Sequence, residues 1–112
     1  MKTFNVCAAQ GELHITRIDA LPANLARVPA ENGYLIVGHS ETGHHHVMDA
    51  THTEMYRLPE EIYECFLVVT EATALEHLRP FDTHEPLLHT PGTYCVRRQR
   101  EYVPEGFRPS ID

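Results

Sequence analysis

Apolar positions along this chain come in short runs, and eight prolines and six glycines break them at intervals that suit strands better than helices. Residues 4–9 and 12–18 flank Gln10-Gly11 and predict a hairpin with a tight turn. The stretch from Leu21-Pro22 to Asn32-Gly33 reads as a loop with a helical turn around residues 24–27. Residues 34–38 form a short apolar strand buried on both faces, and residues 44–49 and 54–58 continue as strands. Cys65-Phe66-Leu67-Val68-Val69 is continuous and apolar, which predicts a strand over 64–69. The competing reading is a helix over 59–78, because Pro59-Glu60-Glu61 suits a first helical turn. Residues 74–78 and 85–89 flank a turn at Pro80-Phe81-Asp82-Thr83. Thr90-Pro91-Gly92 is a sharp turn, and 93–103 is the longest strand.

Eight or nine short strands with at most one short helix predict an all-β fold, a small single-domain β-barrel or a two-sheet sandwich. Residues 1–103 form the domain. Residues 104–112, with two prolines, are expected to be an irregular tail.

Composition changes this picture little. A chain of 112 residues can bury a modest core without disulfides or metal, so a bound metal would serve function rather than folding. Nine basic against 16 acidic residues give a net charge of -7, which argues against nonspecific nucleic-acid binding. Three cysteines with no CxxC pair form neither a disulfide framework nor a cysteine zinc knuckle, and fit a reducing cytoplasm. Neither a signal-peptide pattern nor an apolar run of membrane-spanning length is visible, so a soluble cytoplasmic protein is expected.

The nine histidines change it more. Gly38-His39-Ser40-Glu41-Thr42-Gly43-His44-His45-His46-Val47 holds four of them. On a strand, His44 and His46 share a face and His45 points the other way. Two imidazoles at i and i+2 can chelate one divalent metal, with zinc, iron, nickel and manganese as candidates. Remaining ligands must come from another strand, and His77 and His84, either side of one turn, are the choice. Cys95 is a softer alternative. His39 and Glu41 could orient the ligands from behind. A catalytic metal there would activate water or O2, or polarise a carbonyl. Against this stand a solvated surface strand, and a metal-free domain whose clustered histidines repel when protonated.

In the last strand, Tyr94, Val96, Arg98, Arg100 and Tyr102 share one face, and Cys95, Arg97, Gln99, Glu101 and Val103 the other. Apolar residues give way to charges along both faces. That predicts a strand running out along a sheet edge, where charge deters aggregation. Arg98 and Arg100 could instead grip a carboxylate or phosphate, or the edge could join two copies into a homo-oligomer. No GxSxG, P-loop or dinucleotide fingerprint is present, so no reaction is named.

Two resemblances follow from these motifs. Gly38, five residues, His44 and His46 resemble the opening of the cupin pattern, and Thr90-Pro91-Gly92 falls where its second motif has PxG. Glu54 comes three or four residues late, however, and Cys95 and Gln99 stand at the later histidine and asparagine. That resemblance implies a cupin-like barrel without the usual three-histidine, one-glutamate site. The second covers most of the chain. Gly38 to His46, Thr83-His84, and Pro91-Gly92-Thr93-Tyr94-Cys95-Val96-Arg97-Arg98-Gln99-Arg100-Glu101-Tyr102 resemble a family of small uncharacterised proteins of bacteria and their phages. Ser40 and Thr90 depart from its glycine and proline. That resemblance implies a fold unit and a candidate site; an accessory or interaction module is the non-enzymatic alternative.

Overall fold

The computed structural model describes residues 2–10, 12–38, 45–77, 86–98, 100–103 and 106–109; for residues 2, 77, 100–103 and 106–109 only the backbone is described. Thirteen strands are described: β1 (Lys2–Thr3), β2 (Cys7–Gln10), β3 (Leu13–Ile18), β4 (Ala26–Val28), β5 (Tyr34–Gly38), β6 (His46–Asp49), β7 (Thr53–Arg57), β8 (Glu64–Val69), β9 (Thr73–His77), β10 (Leu87–His89), β11 (Gly92–Arg98), β12 (Arg100–Val103) and β13 (Gly106–Pro109). One sheet has the order β1-β10-β9-β6-β5 and the second the order β2-β3-β11-β8-β7-β4. The pairings are antiparallel except β1 on β10. Each sheet is open, so the fold is the two-sheet alternative rather than a closed barrel. No helix occurs among the described residues, and none is long and apolar enough to cross a membrane.

The period-2 pattern decides which face turns inward. On β3, Leu13 and Ile15 are buried while His14 and Thr16 are exposed. On β11, Tyr94 and Val96 are buried and Arg97 is exposed. They join Met55, Cys65, Leu67 and Val69 from the same sheet, and Leu35, Val37, Met48, Leu75 and Leu87 from the other, in one core. The unbroken run on β8 has its own explanation. Phe66 sits between Tyr56 and Cys95 on the outer face and is buried there too. A central strand covered on both faces needs apolar residues at consecutive positions, and that favours strand over helix at 64–69.

Several sequence expectations are corrected. Gln10 pairs with Leu13, so it ends a strand rather than making the turn. Residues 26–28 form β4 against β7 instead of a helical turn. Asn24, at φ 67°, reverses the chain just before it, and asparagine tolerates that left-handed conformation. The 93–103 strand is two strands. β11 lies between β3 and β8 in the middle of its sheet, not at an edge, whereas β12 pairs with β13 in a separate two-stranded ribbon. The tail expected to be irregular thus contains a strand, Gly106–Pro109.

Candidate functional site

Glutamine at the end of β2 would ordinarily face water, yet Gln10 is 2% exposed. Its side chain crosses to the other sheet, where Nε2 donates to the Leu75 carbonyl at 2.9 Å. A carbonyl can only accept, so this contact fixes the orientation of the amide and presents Oε1 to its other neighbour. That neighbour is His46 Nδ1, 2.8 Å away. An amide oxygen also only accepts, so Nδ1 carries the proton. In the neutral ring the lone pair therefore resides on Nε2, the tautomer of a metal-ligating histidine whose other nitrogen is held by an acceptor.

His46 is fully buried, and the backbone makes room for its ring. The β5–β6 register shifts between Ile36 and Gly38, which brings Gly38 opposite His46. A Cβ on Gly38 would come within 3.0 Å of both Leu13 methyl carbons and 3.3 Å of His46 Cδ2. A side chain there would push on Leu13 and on the His46 ring, so glycine gives the ring its closest fit. On its other side β6 pairs with β9, and His46 stands opposite His77 in the register.

Charge enters the same end of the interior. Arg98, at the inward end of β11, holds its Nε 2.7 Å from Glu12 Oε1, and the two side chains are 12% and 2% exposed. The contact lies off the N–H direction, so it is an electrostatic pair rather than an aligned hydrogen bond. Next to it, burial pushes the Cys65 thiol up to about 12 despite the opposing influence of Arg57. That thiol is neutral and contacts the Val37 carbonyl at 3.8 Å. Such a group is a poor nucleophile at physiological pH.

The predicted metal ligands divide accordingly. His46 is fully buried at the start of β6. His77 is brought opposite it at the level of the backbone. His44 and His84 lie outside the described residues, as do His39 and Glu41. Among the described residues no three of His, Cys, Asp and Glu gather into a metal-binding group. A complete ligand set would therefore draw on side chains beyond those described. Cys95 is on the outer face near Glu64, and burial followed by that carboxylate raises its pKa. Of the histidines given no site, His14 is exposed on β3, His52 pairs with Glu71 at 2.9 Å on the surface, and His89 is buried. Arg98 pairs with Glu12, and Arg100, the other member of the anion pair read from the last strand, is described only by its backbone in the separate ribbon.

Sequence reasoning missed Gln10 and Glu12, because both flank a glycine turn and look solvated. It also missed Arg57. The available signal was period 2: Thr53, Met55 and Arg57 share a face, and the first two are buried.

The Pro91-Gly92-Thr93-Tyr94 motif serves a different end of the sandwich. Arg17 donates to the Asn5 and Pro91 carbonyls at 3.1 and 3.0 Å and to the Thr90 and Tyr94 hydroxyls at 2.5 and 2.7 Å. Tyr94 in turn donates to the Thr90 carbonyl at 2.5 Å. A side chain at position 92 would collide with the Arg17 guanidinium. Beside this lock His89 is fully buried, edge-on to Phe4 and Tyr94 at centroid distances of 5.1 and 4.7 Å. Burial lowers its pKa to about 4.

Residues 9–99 match a family described as Domain of unknown function (DUF8820). The matched span runs from within β2 through β11 and takes in both ends of the sandwich, leaving out β1 and the β12–β13 ribbon. No match was found among curated proteins or among solved structures.

Proposed function

The chain belongs to the DUF8820 family, and we propose that it binds one divalent metal ion at the His46 end of the sandwich. His46 Nε2 is the anchoring ligand, and His44, His77 and His84 are the candidates to complete the set. The observation carrying this reading is the Leu75–Gln10–His46 relay. It fixes a buried imidazole in the ligand tautomer by an amide from the opposite sheet, an arrangement that exposed histidines do not need. The register of His46 with His77 supports it. Imidazole donors suit zinc, iron, nickel and manganese in that environment, and a bound ion would supply Lewis acidity.

Elemental analysis of untagged protein, followed by a zinc titration of wild type and His46→Gln, tests the reading. Near-stoichiometric uptake by wild type and its loss in the variant is the expected result. No uptake by wild type, or equal uptake by both, refutes it.

A second reading has its own support. Among the described residues the β12–β13 ribbon joins neither sheet, which suits an arm that engages a second copy of the chain. Light scattering with and without residues 104–112 tests this; a monomer in both cases rejects it.

A further inference from the structure

Arg57 ends the inward row Thr53-Met55-Arg57 of β7, and Arg98 ends the inward row Tyr94-Val96-Arg98 of β11. Between them runs β8, with Cys65 opposite Val96. The two arginines line one cavity of about 20 Å³, walled also by Leu13, Gly38, Cys65 and Glu64, whose carboxylate is paired with the exposed Arg97. That is room for about one water-sized group. Ile62, 67% exposed, also lines it, so the cavity reaches the surface.

Among the described residues, the two arginines of this cavity are paired unequally. Glu12 offsets Arg98. None of the ion pairs among the described residues includes Arg57. A guanidinium cannot shed its proton in a protein, and the neighbouring thiol of Cys65 is neutral. Arg57 Nε and Arg98 Nη2 are both buried and have no hydrogen-bond partner among the described residues. Burying two such donors without an acceptor is costly, and among the described residues no carboxylate pairs with Arg57.

We propose that this cavity binds the oxyanion head of a small ligand, a carboxylate or phosphate oxygen held by Arg57 and Arg98, with the remainder of the ligand leaving past Ile62. The size of the cavity admits about one oxygen of the head group, with the rest of the ligand outside it. Planar guanidinium donors match oxyanion geometry better than they match a spherical halide. The site is independent of the metal, although Gly38 forms a wall of the cavity and also packs against His46.

The experiment is an NMR titration of full-length, untagged, EDTA-treated protein, following the arginine Nε–Hε resonances. Sodium acetate, inorganic phosphate and sodium chloride are added separately at constant ionic strength. The Arg57 and Arg98 resonances are expected to shift saturably with acetate, phosphate or both, and not with chloride. Acetate alone identifies a carboxylate site, and phosphate alone a phosphate site. Arg57→Gln is expected to weaken binding at least about tenfold, whereas Arg27→Gln, on the exposed edge strand, leaves it unchanged. No saturable shift at Arg57 with either oxyanion overturns the proposal, and so does unchanged binding by Arg57→Gln. Should that variant fail to fold, the wild-type resonances alone decide: saturation confined to other arginines overturns it.

Discussion

Two fully buried histidines occupy different ends of this sandwich, and they share more than their burial. His89 Nδ1 faces the Leu87 carbonyl at 3.1 Å, as His46 Nδ1 faces the Gln10 amide oxygen at 2.8 Å. Both partners only accept, so both rings carry the proton on Nδ1 and the lone pair on Nε2. The tautomer therefore does not by itself make a ligand. Surroundings separate the two. His89 Nε2 is buried without a hydrogen-bond partner among the described residues, its cross-strand neighbour is Thr73, and aromatic edges flank the ring. His46 stands opposite another histidine, closes an HxH stretch and belongs to the end that takes in Glu12 and Arg98. One end is a packed lock. The other brings polar groups together at a cost that packing alone does not explain.

Breaking the polar end should have the largest effect. Glu12→Leu leaves Arg98 buried and unpaired, with an expected loss of about 3–5 kcal/mol by denaturant unfolding. The exposed pair between Arg97 and Glu64 makes the control, since Arg97→Ala should cost about 1 kcal/mol or less. Equal losses would remove the distinction between interior and surface charge.

The lock should respond to pH instead. His89 has a folded pKa near 4 against 6.5 for the free side chain, mainly through burial. Above pH 6.5 it is neutral in both states and its contribution is complete. As the pH falls towards 4 the unfolded chain takes up the proton first, and stability declines by roughly 3 kcal/mol at most. His89→Phe should flatten that part of the stability curve. An unchanged slope would mean that other groups cause it.

Tyr94→Phe removes a hydroxyl that donates to Thr90 and accepts from Arg17. It should cost about 1.5–3 kcal/mol by thermal unfolding and leave metal binding untouched. Gln10→Leu has the reverse profile. Removing the acceptor for His46 Nδ1 should weaken zinc binding about 10- to 100-fold, measured by competition with a chromophoric chelator. If Tyr94→Phe weakens zinc and Gln10→Leu does not, the two ends have been assigned the wrong way round.

The fold was legible in the sequence where one face of a strand is dry. The alternation of 94–98 and the run at 65–69 predicted strands that the fold contains. Legibility failed where polar residues turn inward. Gln10, Glu12 and Arg57 look solvated one residue at a time, because the partners that make their burial tolerable come from distant strands: Leu75 for Gln10 and Arg98 for Glu12. The charges of the last strand misled for the same reason. Arg98 reads as an edge residue only while Glu12 is unknown. HxH was readable as a pair; that an amide from β2 orients one member was not.

The most direct measurement is a long-range ¹H–¹⁵N spectrum of the histidine rings, recorded during a zinc titration of untagged protein. His46 should begin with its proton on Nδ1 and keep it, while the Nε2 resonance moves to the metal-bound position at one equivalent. His89 should not move. A His46 ring protonated on Nε2, or one that stays fixed while exposed His14 and His52 respond, would contradict the assignment of the metal to this end of the sandwich.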